Sequence, residues 1–451
     1  MNKDKDFLGT EPVGKLMFRL ALPTITAQLI NMLYNIIDRI YIGHIPGNGA
    51  LALTGVGVCM PLIMIISAFA ALVGGGGAPH ASIAMGKNDL NTAEHILGNC
   101  FFLQILISII LTVILLFGNR TFLLAFGASE NTIEYAVNYM NIYAVGTIFV
   151  QLTLGMNMFI TTQGFAKTGM LSVLIGAVMN IVLDPLFIFG FHWSVAGAAG
   201  ASLISRMTAC FILMWRLRDP KLDIRIGTTK GVNMRMVKQI LHIGIPNGIE
   251  NSIFQLGRVL TVSIIAMFGT TQIAANAIAN NLDSMGVLPG TAMCLAIITV
   301  VGRCVGADDF EQAEYYTKKM MKLTYVINGI CCLVVILTMP VTLRLYGVSG
   351  ETRHLGAVLA LIHNGCAIFL WPAGFCLPNV MRAANDVKFP MCVSIASMFI
   401  FRIGLSYVTG VAMGLGAIGV WIAMIIDWIV RISFFVTRFF SGKWKTFYHG
   451  E

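Results

Sequence analysis

The segment MGKNDLNTAE at residues 85–94 returns 220 residues later as VGADDFEQAE at 305–314, with Gly86 answered by Gly306 and Ala93 by Ala313. A second pair, LALPTITAQL at 20–29 and IGIPNGIENS at 243–252, sets Pro23 on Pro246 at a shift of 223. Two matches at nearly the same shift read as one design written twice. In both copies of the glycine-bearing segment, at 85–94 and 305–314, a glycine and an acidic residue close one apolar run and a new run follows, so Asp89 and Asp309 are expected to be turn and N-cap residues.

Working outward, apolar runs of about 20 residues, each long enough to cross a hydrocarbon core of about 30 Å, recur along almost the whole chain. Of 451 residues, 57% are hydrophobic and 11% charged, whereas soluble domains carry roughly 25% charged residues. The chain therefore reads as an integral membrane protein. About twelve spans begin near Leu16, Leu51, Ile96, Tyr135, Gly169 and Val195 in the first half and near Val237, Gln272, Leu323, Leu355, Phe389 and Gly416 in the second. All are expected to be helices, because an open sheet in lipid leaves backbone groups unpaired. The predicted fold is all-α: two six-helix lobes, residues 1–215 and 239–451, related by pseudo-two-fold symmetry and joined by a polar linker at 216–238, with a short basic tail at the end. The opening run is too long and polar-studded for a cleaved signal peptide, so the first span is expected to remain.

Basic residues crowd at Lys3, Lys5, Lys15 and Arg19, from Arg216 to Lys238 (Lys230 among them), from Arg303 to Lys322, and at Arg438, Lys443 and Lys445. The loops near Ile45, Phe191, Gly269 and Gly414 carry none. By the positive-inside rule both termini are cytoplasmic in a multi-pass protein of the cell membrane. The net charge of +9 is then topology rather than affinity for nucleic acid, and no nucleic-acid partner is expected; a monomer is.

The ten cysteines fall mostly inside spans without a C-x-x-C, and the eight histidines are scattered singly. Neither pattern offers a catalytic, redox or cofactor constellation, so an enzyme is the weakest reading. Four consecutive glycines, Gly74 to Gly77, imply close helix contact or a hinge; without a following Gly-Lys-Ser they are no phosphate loop.

The informative residues are polar ones inside apolar runs. Asn31, Asn35 and Asp38 share one face of the first span, and Asn180 and Asp184, within MNIVLDPLFIFG at 179–190, share one face of the fifth. Asp38 and Asp184 lie at matching depths, roughly 7 to 9 Å from the outer end, and Ser202 of the sixth span reaches a similar level. Asp38, Asn180, Asp184 and Ser202 could form an all-oxygen cation site; the alternative pairs Asp38 with Arg39 and leaves Asp184 a capping role. Two close carboxylates hold a cation or share a proton, and both Na⁺ and H⁺ stay open. Asp38, Asn180 and Asp184 would be the metal ligands if the ion is Na⁺. In the second half Arg402 and Ser406 stand where Asn180 and Asp184 stand in the first, so the acidic pocket is absent there. Glu250, Arg258, Asp283 and Arg402 could neutralise one another in pairs, with Arg258 and Arg402 as structural partners. Asn31, Asn35, Asn247, Glu250, Gln255 and Asp283 are the candidates for lining a substrate cavity, and Asp427 with Arg431 reads as a structural pair.

The segments LPTITAQLINMLYNIIDRIYIG, MGKND, VGADD, MNIVLDPLFIFG with VAGAAGAS, and IGIPNGIE together resemble the multidrug and toxic compound extrusion transporters of the bacterial and archaeal branch, over about Lys15 to Lys445. The resemblance implies a twelve-helix, two-lobed antiporter whose lobes rock to expel organic cations in exchange for Na⁺ or H⁺, without a cofactor. It places the cation site on Asp38, Asn180, Asp184 and Ser202. Phe254 stands near the position where some members carry an acid in the seventh span, which speaks against a second-lobe ion site. The runner-up is a flippase for lipid-linked saccharides, which would call for arginines such as Arg258 and Arg402 in its cavity.

Overall fold

A computed structural model describes residues 13–227, 231–345 and 349–447; Lys3, Lys5 and Lys230 lie outside the described residues. Helix dominates, with no strand among the described residues. Among the described residues twelve helical rods follow one another: α1 (Val13–Gly43), α2 (Gly49–Gly86), α3 (Leu90–Ala125), α4 (Ile133–Thr162), α5 (Ala166–Gly190), α6 (Ser194–Arg216), α7 (Met234–Ala266), α8 (Thr270–Gly306), α9 (Phe310–Leu345), α10 (Gly350–Ala383), α11 (Lys388–Ala412) and α12 (Gly416–Phe440). Eleven are apolar and long enough to cross a bilayer, α4 being a span bent by 56° at Gly146. The exception is α7, whose 33 residues are ample in length but diluted by Asn247, Glu250, Asn251, Gln255 and Arg258. Leu337 and Trp215 are each 77% exposed, as lipid-facing side chains must be and as water-facing ones rarely are.

Several helices start before their apolar runs. The ninth begins at Phe310 rather than Leu323 and the third at Leu90 rather than Ile96, because the helix continues through polar turns until a side chain caps it. The repeated turn supplies those caps. The Asp89 carboxylate accepts from the Thr92 amide at 3.0 Å and Asp309 from the Gln312 amide at 2.9 Å. The residue before each cap, Asn88 and Asp308, is left-handed at φ 60° and 59°. Ala93 and Ala313 are fully buried.

Two compact units result. One is Leu22–Gly248; the other is Ile249 onward together with the start of α1 up to Ala21. The division thus falls inside α1 and α7 rather than at the polar linker. Leu217, Leu222 and Ile224 of that linker join the first unit's core beside Leu213 and Val237, and the Ile224 amide donates to the Gln163 side chain at 3.1 Å.

In the first unit, one cluster gathers Ile66, Met140, Ala144 and Val195 and a second gathers Leu97, Met156, Phe159 and Ile240. Amide side chains tie neighbouring helices: Gln151 donates to the Ile66 carbonyl at 2.8 Å and Gln104 to that of Ala70 at 3.1 Å. The glycine run is a contact surface. A Cβ on Gly76 would stand 2.3 Å from the Ile240 carbonyl oxygen and 3.0 Å from the Gly244 Cα, and one on Gly77 would stand 2.2 Å from Cys100 Sγ. Only hydrogen fits where α2 crosses the opening turns of α7, whose Gly244 and Gly248 form the matching small-residue pair. In the second unit α8 packs on both α9 and α10.

A wide π-type turn, Leu186–Gly190, follows Pro185 and ends α5; another, Tyr407–Ala412, ends α11 at the corresponding place in the second half. Such turns interrupt the regular ladder and occur disproportionately at functional sites. The first begins two residues after Asp184.

Candidate functional site

Within the first unit, α1, α5 and α6 bring Asp38, Asn180, Asp184 and Ser202 together. Asp38 is 8% exposed, Asn180 1% and Asp184 0%. The two carboxyl groups lie within hydrogen-bonding reach of each other. Asn180 Nδ2 donates to Asp184 Oδ1 at 3.3 Å and to Ser202 Oγ at 3.4 Å, so the amide bridges acid and hydroxyl. This follows from helix geometry: residues 180 and 184 are one turn apart on α5, and α6 returns antiparallel beside it.

Three buried oxygens have no hydrogen-bond partner: Asp38 Oδ1, Asn180 Oδ1 and Asp184 Oδ2. Buried acceptors in that number are costly unless a donor or cation meets them. Two facing carboxylates plus a carbonyl-type oxygen suit a proton or a hard monovalent cation. No set of three or more His, Cys, Asp or Glu side chains placed for a metal ion occurs among the described residues. Arg39, the alternative partner of Asp38, is exposed.

Beside the acids lies a cavity of about 50 Å³ lined by Asn31, Tyr34, Asn180, Ser202, Ser205 and Arg206, among others. Arg206 was not anticipated from the sequence, nor were Tyr34, Tyr139 and Tyr143. The Arg206 guanidinium donates to the Tyr34 hydroxyl at 3.0 Å, and Tyr139 and Tyr143 stack at 6.2 Å between ring centroids. A signal was present: Arg206 sits one turn from Ser202, well inside an apolar span. Asn35 is exposed, with its amide donating to the Asn31 carbonyl at 2.6 Å.

The other candidates are dispersed. Asn247 belongs to the first unit, close against Gly75 of α2, and Gln255 is exposed in the second. Glu250 pairs with neither Arg258 nor Arg402: Arg382 of α10 donates to its carboxylate at 2.6 Å and is itself held by Asn379 at 2.8 Å. The expected pairing fails because α10, not α11, supplies the cation facing Glu250. Asp283 accepts from Asn364 Nδ2 at 3.0 Å and lies 3.2 Å from His363 Nδ1. Arg402 Nη1 lies 3.9 Å from Asp427 Oδ2, while Arg431 Nε donates to the other oxygen of that carboxylate, Oδ1, at 3.0 Å. Ser406, the counterpart of Asp184, donates to the Arg402 carbonyl.

The profile of the family described as MatE matches the chain twice, at residues 23–186 and 246–408. The probable multidrug resistance protein NorM of Thermotoga maritima is 24% identical over 98% of this chain and 96% of its own. The probable multidrug resistance protein YoeA of Bacillus subtilis is 22% identical over 96% and 94%. Among solved structures, an outward-facing multidrug resistance MATE family transporter superposes with a TM-score of 0.90 at 23% identity, covering 99% of both chains.

Proposed function

Because the chain belongs to the MatE family, we propose that it is a secondary antiporter of the cell membrane, working as a monomer with both termini in the cytoplasm, that expels organic cations in exchange for Na⁺ or H⁺. The observation that carries this reading is the facing pair Asp38 and Asp184 beside Asn180, each of the three with one buried oxygen lacking a hydrogen-bond partner. In one conformation the pair takes up the ion; in the other it releases it. Exchange follows when ion binding favours the conformation with lower affinity for the exported compound, which requires only differential affinity between two states. One monovalent cation crossing about 100 mV releases roughly 2.3 kcal/mol. A singly charged organic cation exchanged one for one gains nothing from voltage, so the ion's concentration gradient or a second ion must drive it.

The test is uptake of a fluorescent organic cation into proteoliposomes under an imposed Na⁺ gradient and, separately, an imposed pH gradient, with native protein and Asp184→Asn. One gradient is expected to drive uptake and the substitution to abolish it. Folded protein that moves no dye under either gradient would sink the proposal.

A further inference from the structure

We infer that the second unit carries an oxyanion-binding subsite between Arg258 of α7 and Arg402 of α11. A cavity of about 60 Å³ there is lined by Arg258, Thr261, Asn276, Asn280, Arg402 and Trp421, with no carboxylate in its wall among the described residues. Arg402 is 7% exposed, and its Nε and Nη1 are buried without a hydrogen-bond partner. Its neighbouring acid, Asp427, is shared: Oδ1 accepts from the Arg431 guanidinium and the Ser397 hydroxyl, and Oδ2 lies 3.9 Å from Arg402 Nη1, beyond hydrogen-bond distance. Asp283, the acid in electrostatic range of Arg258, is engaged by Asn364 and stands beside His363. Among the described residues, the guanidinium groups of Arg258, Arg402 and Arg431 thus face the two carboxylates of Asp283 and Asp427, one positive charge in excess.

A buried guanidinium with idle donors is strongly disfavoured unless an anion meets it. The planar fork of arginine matches a carboxylate or phosphate through two parallel hydrogen bonds. The wall adds the neutral polar groups of Thr261 and Asn280, while the Trp421 indole donates to Asn276 at 3.0 Å and offers its ring as an apolar side. The occupant is thus an oxyanion on an amphiphile: a carboxylate of an exported compound or the phosphate of a lipid. The site is opposite in charge to the acidic pocket of the first unit.

The test titrates purified full-length protein in detergent, with no gradient, using rhodamine B, a xanthene cation with a free carboxylate, and its ethyl ester. This dye arm rests on the export reading; a second arm, dihexanoyl phosphatidate against dihexanoyl glycerol, does not. The acid is expected to bind on the order of tenfold more tightly than the ester. Arg402→Gln should bring the two dyes within about twofold without weakening the ester. Arg258 is exposed, so Arg258→Gln makes the same comparison should Arg402→Gln not fold. Arginine-dependent binding of phosphatidate alone upholds the subsite and assigns its oxyanion to a lipid. Equal binding of acid and ester, with no arginine-dependent binding of phosphatidate, overturns the subsite. Transport of the ester in the proteoliposome assay would then still stand for the export reading, so the two fail separately.

Discussion

Arg206 of α6 donates a 3.0 Å hydrogen bond to the hydroxyl of Tyr34 on α1, joining helices whose residues are 172 apart in the chain. Tyr34 is one turn from Asp38 and Arg206 one turn from Ser202, so the bond braces the two helices beside the acidic pair. Tyr34→Phe leaves a guanidinium donor unpaired at a cost of about 2 kcal/mol. The expected result is a melting temperature a few degrees lower in detergent; an unchanged melting curve would show that water replaces the hydroxyl at no cost.

Glu250 and Arg382 form an ion pair with side chains only 13% and 14% exposed. Removing one partner strands the other, and Arg382→Met is expected to cost about 3 kcal/mol. The double variant Glu250→Gln, Arg382→Met should recover most of the loss, giving a coupling energy of at least 1 kcal/mol in a double-mutant cycle. Additive losses would refute the pair as a stabilising unit. Impaired transport by Glu250→Gln at full stability would restore this residue as a substrate contact.

At Gly76 the helices meet backbone to backbone. Gly76→Ala is expected to destabilise by about 1–3 kcal/mol, since the obstruction is a carbonyl oxygen rather than a movable side chain. Gly57→Ala on the same rod, where nothing lies within 4 Å, should be neutral or mildly stabilising. Equal melting temperatures for the two variants would count against the crossing.

The cap at Asp89 carries a pH dependence. Its carboxylate is held below its ordinary value of 3.8, chiefly by the hydrogen bonds from Thr92. A lowered folded-state value means stability that is present above the unfolded value and lost as pH falls through the folded one. Asp89→Ala should cost about 1 kcal/mol at pH 7, and the gap between variant and native melting temperatures should narrow below about pH 4. A gap constant down to pH 3 would assign the effect to helix propensity instead.

Much of the candidate site was readable because its logic is local. Asn180 and Asp184 share a face by helical periodicity, and the depth of Asp38 follows from counting residues from the span end, so α1, α5 and α6 could be matched before any contact was known. Arg206 obeyed the same local rule and was overlooked; only its bond to Tyr34 gives it a role. The seventh rod reads as an apolar run from Val237, yet Asn247, Glu250, Asn251, Gln255 and Arg258 dilute it below the other spans.

The sequence by itself determined that the chain is helical, repeated and membrane-spanning, and on which face of each helix its polar residues lie, since hydropathy, repeat and periodicity are properties of consecutive residues. Only the tertiary structure decided what those faces meet: Arg382 for Glu250, Asn364 and His363 for Asp283, and Asp427 crowded by Arg402 and Arg431. It also drew the linker residues Leu222 and Ile224 into the first unit and divided α1 and α7 between units. A helix fixes the direction of a side chain within its own turn, but which neighbour faces it depends on crossings such as that at Gly76 and Gly244, set by packing between segments far apart in the chain.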